Sequence, residues 1–254
     1  MLQTGLISVT FRQLTPEEII KLVVQAGLQA IEWGGDIHVP PNDRKHAAKV
    51  GARTRDAGIA VASYGSYYRV GSANTGEDGL AFERVLETAE ALQAPAIRVW
   101  AGDRGSAAAD EQRWTQVIED ARRIAGLAQE AGISIDFEFH GGTLTDTADT
   151  AYRLLTGVNR SNVRCHWQPQ THDVAEERLR GLRRILPWLA NLHVFHWLPE
   201  ERRPLSDGRE EWERYLKEAA ETSRTHYALL EFVKDNAPEQ FLKDAELLKS
   251  IIGT

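Results

Sequence analysis

Short runs of apolar and β-branched residues alternate along this chain with longer stretches in which apolar positions recur every three or four residues. Runs of the first kind suit strands buried on both faces, and stretches of the second kind suit helices with one apolar stripe. Their alternation predicts a parallel sheet covered by helices. Eight strands are expected, at 5–10, 30–33, 60–63, 96–100, 134–140, 163–168, 192–196 and 228–231, each followed by a helix. The first helix opens at Thr15-Pro-Glu-Glu18, where Thr15 caps, Pro16 takes the first helical position and Glu18 completes a capping box. Asn236-Ala-Pro-Glu239 opens the last helix by the same logic. Gly27, Gly58 and Gly132 each stand just before a strand and supply left-handed helix ends.

Eight βα units in 254 residues match the size of one (β/α)8 TIM barrel, a single domain over 1–254. An open doubly wound sheet would carry a Gly-rich phosphate turn after its first strand, and Gly5-Leu-Ile-Ser-Val-Thr10 runs into Phe11-Arg-Gln without one. The segment Ser66 to Gly79, rich in Gly, Ser and Asn, reads as a mobile rim loop. A formal charge of −7 argues against a nucleic-acid partner, which would want a basic face, and favours a small molecule. A lone cysteine, Cys165, excludes an intrachain disulfide framework and suits a reducing compartment. No secretory signal is visible and no run approaches the ~18 apolar residues of a membrane helix, so the expected location is the cytoplasm.

The fifth strand carries the densest chemistry. In Asp136-Phe-Glu-Phe-His140, alternation places Asp136, Glu138 and His140 on one face and the two phenylalanines on the other. A row of ionisable groups on one face of a core strand marks a site, because an unpaired buried charge costs several kcal/mol. In a TIM barrel the chemistry gathers at the C-terminal strand ends. Those ends offer Glu32, Trp33 and His38, then Tyr64, Tyr67 and Tyr68, then Trp100, Glu138, His140, His166, Gln168, His193, His196 and Glu231.

With these residues the sequence resembles the xylose-isomerase-like barrels, a superfamily of sugar and sugar-phosphate isomerases and epimerases. The matching pieces are Gly27-Leu-Gln-Ala-Ile-Glu-Trp33, Glu138-Phe-His140, His193-Val-Phe-His-Trp197 and Glu231-Phe-Val233, in that order. The resemblance implies one divalent metal (Mn²⁺, Mg²⁺, Co²⁺ or Zn²⁺) held by Glu138, Gln168, His193 and Glu231. Gln168 stands where the family usually has an Asp. Its amide oxygen can still ligate a hard cation but brings one negative charge fewer. The implied activity is metal-assisted isomerisation or epimerisation of a sugar, polyol or sugar derivative through an enediolate, with Glu138 and Glu231 moving the proton. Trp33, Tyr64 and Trp100 would offer faces to the substrate, His38, His140 and Lys234 would orient its oxygens, and Arg202 with Arg203 would clamp an anionic group.

Two other functions fit the same residues: an inosose-dehydratase-like lyase, in which the enediolate expels a β-hydroxyl, and a non-catalytic sugar-binding barrel, which Gln168 favours. Plainer roles compete at single positions. Glu138 can be a carboxylate paired with a buried arginine, Glu231 a partner of Lys234, and His166 and His196 structural histidines. Exposed Trp-rich loops allow a homodimer.

Overall fold

The computed structural model describes residues 1–72, 80–199 and 201–253. Eight parallel strands close into a barrel: β1 (Leu2–Ile7), β2 (Ala30–Gly34), β3 (Ala60–Arg69), β4 (Ala96–Trp100), β5 (Ser134–Glu138), β6 (Val163–Trp167), β7 (Leu189–Val194) and β8 (His226–Leu230). Neighbours in sequence are neighbours in the barrel, and β8 returns to β1 with Leu2 opposite His226 and Leu6 opposite Leu230. The helices are α1 (Pro16–Ala26), α2 (Arg44–Asp56), α3 (Phe82–Leu92), α4 (Glu111–Glu130), α5 (Ala148–Val158), α6 (Ala175–Ile185), α7 (Arg209–Ala220) and α8 (Pro238–Ile252). The expected (β/α)8 barrel is the observed fold.

Local chemistry accounts for the element ends. The Thr15–Glu18 capping box forms, with both reciprocal bonds present. Gly27, Gly58 and Gly132 all adopt left-handed backbone, at φ 66°, 76° and 71°. Asn236 does not cap α8: Ala237 holds that position, and only Pro238 at the helix start fits the expectation. Three strands begin earlier than their apolar runs suggested, β8 at His226 among them. β1 starts at Leu2 and gives way at Ser8 to a 3-10 turn, Ser8–Phe11. β7 starts at Leu189 because buried Asn191, a polar residue in the strand, accepts a hydrogen bond from the Tyr227 backbone at 2.9 Å.

Most of the apolar core lies between barrel and helices, where Trp167, Trp212 and Tyr215 meet edge to face. Inside the barrel, the buried apolar cluster is small: Ile7, Val9, Ala30, Ala62 and Leu229. The rest of the interior is polar, which leaves room for a site.

Two irregularities aim residues at the barrel mouth. Between β2 and β3 the register shifts from Ile31–Val61 to Glu32–Ser63, so Ser63 faces Glu32 inside the barrel. At the rim, Tyr67 and Phe232 sit at φ 59° and 45°, left-handed conformations that cost a bulky side chain on the order of 1–2 kcal/mol each. Part of the expected rim loop is therefore strand, since β3 runs to Arg69. Gly71 and Ser72 are anchored to Asp120 and Arg113, and 73–79 lie outside the described residues.

Candidate active site

Strand alternation sends Glu32, Arg98, Trp100, Asp136, Glu138, His166, Gln168, His193 and Glu231 into the barrel or its mouth. Deepest is Asp136, 1 % exposed. Its Oδ1 accepts the Ser134 hydroxyl at 2.9 Å, and its Oδ2 lies 3.1 Å from His166 Nε2. A carboxylate can only accept, so His166 carries its proton on Nε2. His166 Nδ1 stands 3.1 Å from His193 Nε2 and takes the hydrogen from it when His166 is neutral. The row Ser134, Asp136, His166, His193 thus turns the lone pair of His193 Nδ1 towards the mouth.

What that nitrogen meets is the informative part. Gln168 Oε1 lies 3.2 Å away, Glu138 Oε1 3.5 Å and Glu231 Oε2 3.6 Å. The Gln168 amide is oriented by its NH₂, which donates to the Phe139 carbonyl, so its oxygen faces the cluster. Three oxygens and one nitrogen converge, all acceptors. Such a cluster is stable only with a proton or a cation at its centre. The same need shows in His193, where burial opposes protonation but Glu231, Glu138 and Glu32 outweigh it and raise the imidazole well above its ordinary value. Glu138, His193 and Glu231 have ligand atoms within 4.8 Å of one another, and two carboxylates, an imidazole and an amide oxygen suit a hard to borderline dication. The residues present fit a divalent metal.

Arg98 is the residue sequence reasoning missed. It is buried in β4 and bridges Glu32, Nε to Oε1 at 2.7 Å, and Glu138, through its NH1. Its signal was a lone arginine in Ala-Ile-Arg-Val-Trp, in register to face inward with Trp100. Burial works against a charged Glu138, but the Arg98 charge and the His193 bonds prevail and hold it down at about 2. Glu32 is likewise held well below its ordinary value, burial being overcome by Arg98, His166 and His193. Glu138 is thus the arginine-paired carboxylate of the plainer reading. Only one of its oxygens is engaged, however: Oε2 takes Arg98 and the Trp100 indole N–H at 2.5 Å, while Oε1 faces His193. A second carboxylate–imidazole group, Glu32 with His166 and His193, lies below and is saturated by Arg98, Ser63 and the His–His bond.

Above the cluster is a cavity of about 230 Å³, lined by Arg12, Tyr67, Trp100, His140, Trp197 and Phe232 together with Arg98, Glu138, Gln168 and Glu231. Trp100 and His140 line it as expected, their rings 4.7 Å apart. Five expected substrate contacts lie elsewhere. Trp33 and Tyr64 follow the inward-facing Glu32 and Ser63, so alternation turns them outward: Trp33 donates to Thr54 on α2 at 3.2 Å and Tyr64 to the Val39 carbonyl at 3.0 Å. His38 is buried against Trp33, with Nε2 3.1 Å from the Leu14 carbonyl. Arg202 stacks over Phe232 at 4.6 Å and donates to Asn236, beside the mouth and outside its lining. Lys234, in the turn Lys234–Asn236, does not line the cavity either. His196 leaves β7 altogether and starts a hairpin of His196–Leu198 and Glu201–Arg203.

A sequence model described as "Xylose isomerase-like TIM barrel" matches residues 20–251. The chain belongs to this family. A family relative, 3-dehydroshikimate dehydratase of Bacillus anthracis, is 24% identical over 194 residues, 66% of this chain and 69% of its own. Among solved structures, the probable 3-DHS dehydratase AsbF of the same organism superposes with a TM-score of 0.80 at 18% identity, covering 97% of this chain and 98% of that one. A D-psicose 3-epimerase gives 0.71 at 17%, covering 99% and 100%. These likenesses support the fold, and they span both epimerases and dehydratases. Family members act on small carbohydrate-like molecules and often bind a divalent metal. Among the described residues of this family member, no helix is long and apolar enough to cross a membrane.

The Asp136–His166 pair sets the prediction that arises here. Asp136→Asn, which removes the acceptor that fixes the His166 proton, is expected to weaken Mn²⁺ binding by roughly 10–100-fold without touching a ligand. Calorimetric titration of the apo-protein measures it, and an unchanged affinity would show that the row does not orient His193.

Proposed function

We propose that this chain is a metal-assisted enzyme that takes a proton from the carbon beside a carbonyl in a small polyhydroxylated substrate and then expels the β-hydroxyl as water. Glu138, Gln168, His193 and Glu231 would hold the metal. A divalent ion there polarises the substrate carbonyl and offsets the negative charge that develops on its oxygen. The observation that carries the reading is an asymmetry between the two carboxylates. Glu138 has one oxygen tied down by Arg98 and Trp100, whereas among the described residues no donor hydrogen-bonds the Glu231 carboxylate, which faces His193 at 3.6 Å and feels the Arg202 charge from further off. One clamped carboxylate and one open one suit a reaction with a single base.

In this reading Glu231 takes the proton from carbon, the bonding pair forms the new double bond, and the carbon–oxygen bond one position further breaks. His140 donates from Nδ1 to the Gly141 carbonyl at 2.7 Å, so it is the imidazolium form that would carry a proton on Nε2 and pass it to the departing hydroxyl. Trp100, Tyr67 and Trp197 wall the cavity and exclude water from the reacting carbons. The matched dehydratase relative supports elimination.

The second reading is epimerisation or isomerisation, with Glu138 returning the proton. It is supported by the near-equal approach of both carboxylates to His193 Nδ1, 3.5 and 3.6 Å. Incubation with 3-dehydroshikimate and with D-psicose in D₂O separates the two. Elimination yields a conjugated product with new ultraviolet absorbance and the loss of one water. Deuterium uptake at carbon with no loss of mass as water would instead favour epimerisation, and neither outcome with either compound sinks the proposal.

Gln168→Asp is expected to tighten Mn²⁺ binding by about tenfold or more, because it adds a negative charge beside three ligands. Affinity unchanged on titration would remove Gln168 from the ligand set.

A further inference from the structure

The N-terminal face of the barrel, opposite the mouth, carries a feature that the chemistry above does not use. Two adjacent cavities open there, of about 460 Å³ and about 610 Å³, and Arg164 and Ser161 line both. The larger one is also lined by Arg160, from the loop between α5 and β6, and by Arg224, from the loop between α7 and β8. No carboxylate lines it. In the smaller one the sole carboxylate is Asp136, whose oxygens are already engaged by Ser134 and His166.

That arrangement differs from what surrounds it on the neighbouring helices. Net charge is −7, and arginines on the neighbouring helices find carboxylates: Arg153 with Glu111, Arg183 with Glu218, Arg184 with Asp149 and Arg214 with Glu176. Among the described residues, the side chains of Arg160, Arg164 and Arg224 form no ion pair, and only that of Arg224 hydrogen-bonds to protein, donating to the Pro187 carbonyl at 2.8 Å. The Nε of Arg164 is buried without any hydrogen-bond partner. A buried N–H left unpaired keeps the full cost of its lost hydration, so a partner is expected there. Three guanidinium forks around one opening, with the Ser161 hydroxyl beside them, match an anion whose oxygens radiate tetrahedrally, since each fork can take two of them.

We propose that this basal pocket is a second binding site, for a phosphate group on a small molecule, with Arg164 as its inner ligand and Arg160 and Arg224 closing over the anion. The site is separate from the metal cluster and independent of the reaction assigned to it.

The test is calorimetric titration of the full chain with inorganic phosphate, pyrophosphate and tricarballylate at low ionic strength. Saturable one-to-one binding of phosphate and pyrophosphate is expected, and Arg164→Gln should weaken it by roughly tenfold or more, as loss of a charge-assisted fork does. Arg160 is exposed, so Arg160→Gln leaves the fold intact and should also weaken binding. Arg84→Gln removes the same charge from an exposed position on α3 and should change nothing. Arg202→Gln, beside the mouth, should likewise leave binding intact. The proposal is overturned by an absence of saturable binding, by equal weakening in Arg84→Gln, or by loss in Arg202→Gln with Arg164→Gln unaffected. Tighter binding of tricarballylate than of pyrophosphate would overturn the phosphate assignment.

Discussion

Arg98→Met is expected to destabilise the protein by about 3–5 kcal/mol at neutral pH, because it strands two buried carboxylates that now share one guanidinium. Arg98, Glu32 and Glu138 have side chains 4 %, 0 % and 5 % exposed, so solvent gives little relief. The pH dependence should change sign as well. In the parent chain Glu32 and Glu138 are depressed, Glu138 to about 2 from an ordinary 4.5. A depressed carboxylate contributes stability that is present above 4.5 and is lost as pH falls towards 2. In Arg98→Met burial, the largest influence on both groups, is opposed only by the histidine contacts, so both carboxylates should rise and the variant should lose stability as pH rises through and above 4.5. Urea unfolding at pH 4 and pH 7 reads both effects. Parallel pH profiles for parent and variant would show that Arg98 does not set the charge of the site.

Glu231→Gln is expected to lower turnover by roughly 10²–10⁴-fold, the usual contribution of a positioned base. Glu138→Gln should look different. Its loss acts through metal affinity and through the Arg98 pair, so raising Mn²⁺ should restore part of its activity and should restore none in Glu231→Gln. Steady-state rates against Mn²⁺ concentration distinguish them. Turnover in Glu231→Gln within tenfold of the parent, or rescue of both variants by Mn²⁺, would move the base elsewhere, and failure of Mn²⁺ to rescue either variant would restore the two-base reading.

The barrel was legible because its punctuation is local: the Thr15–Glu18 box and the left-handed glycines each act within a few residues. The set Glu138, Gln168, His193 and Glu231 was legible through the family resemblance, which picks out four positions within a residue of their strand ends. Two of the three aromatic assignments point away from the cavity for a physical reason. Trp33 and Tyr64 are one residue out of phase with Glu32 and Ser63, and a shift of one residue in a strand reverses the face. For Tyr64 the deciding event is the register shift beside Ile31, which depends on how two strands pair. The Arg98 bridge was out of reach for a related reason. Its partners lie 66 and 40 residues away, and only closure of the barrel makes them neighbours.

The strained rim has a consequence for redirecting this enzyme. Tyr67 and Phe232 both wall the cavity and both hold backbone that glycine would occupy without penalty. Cutting them back to glycine widens the chamber, and the relief of twisted backbone offsets part of the packing that is lost. Elsewhere in the cavity wall a large-to-small change brings no such refund. Libraries aimed at bulkier substrates therefore have two entry points where new space comes with the least damage to folding.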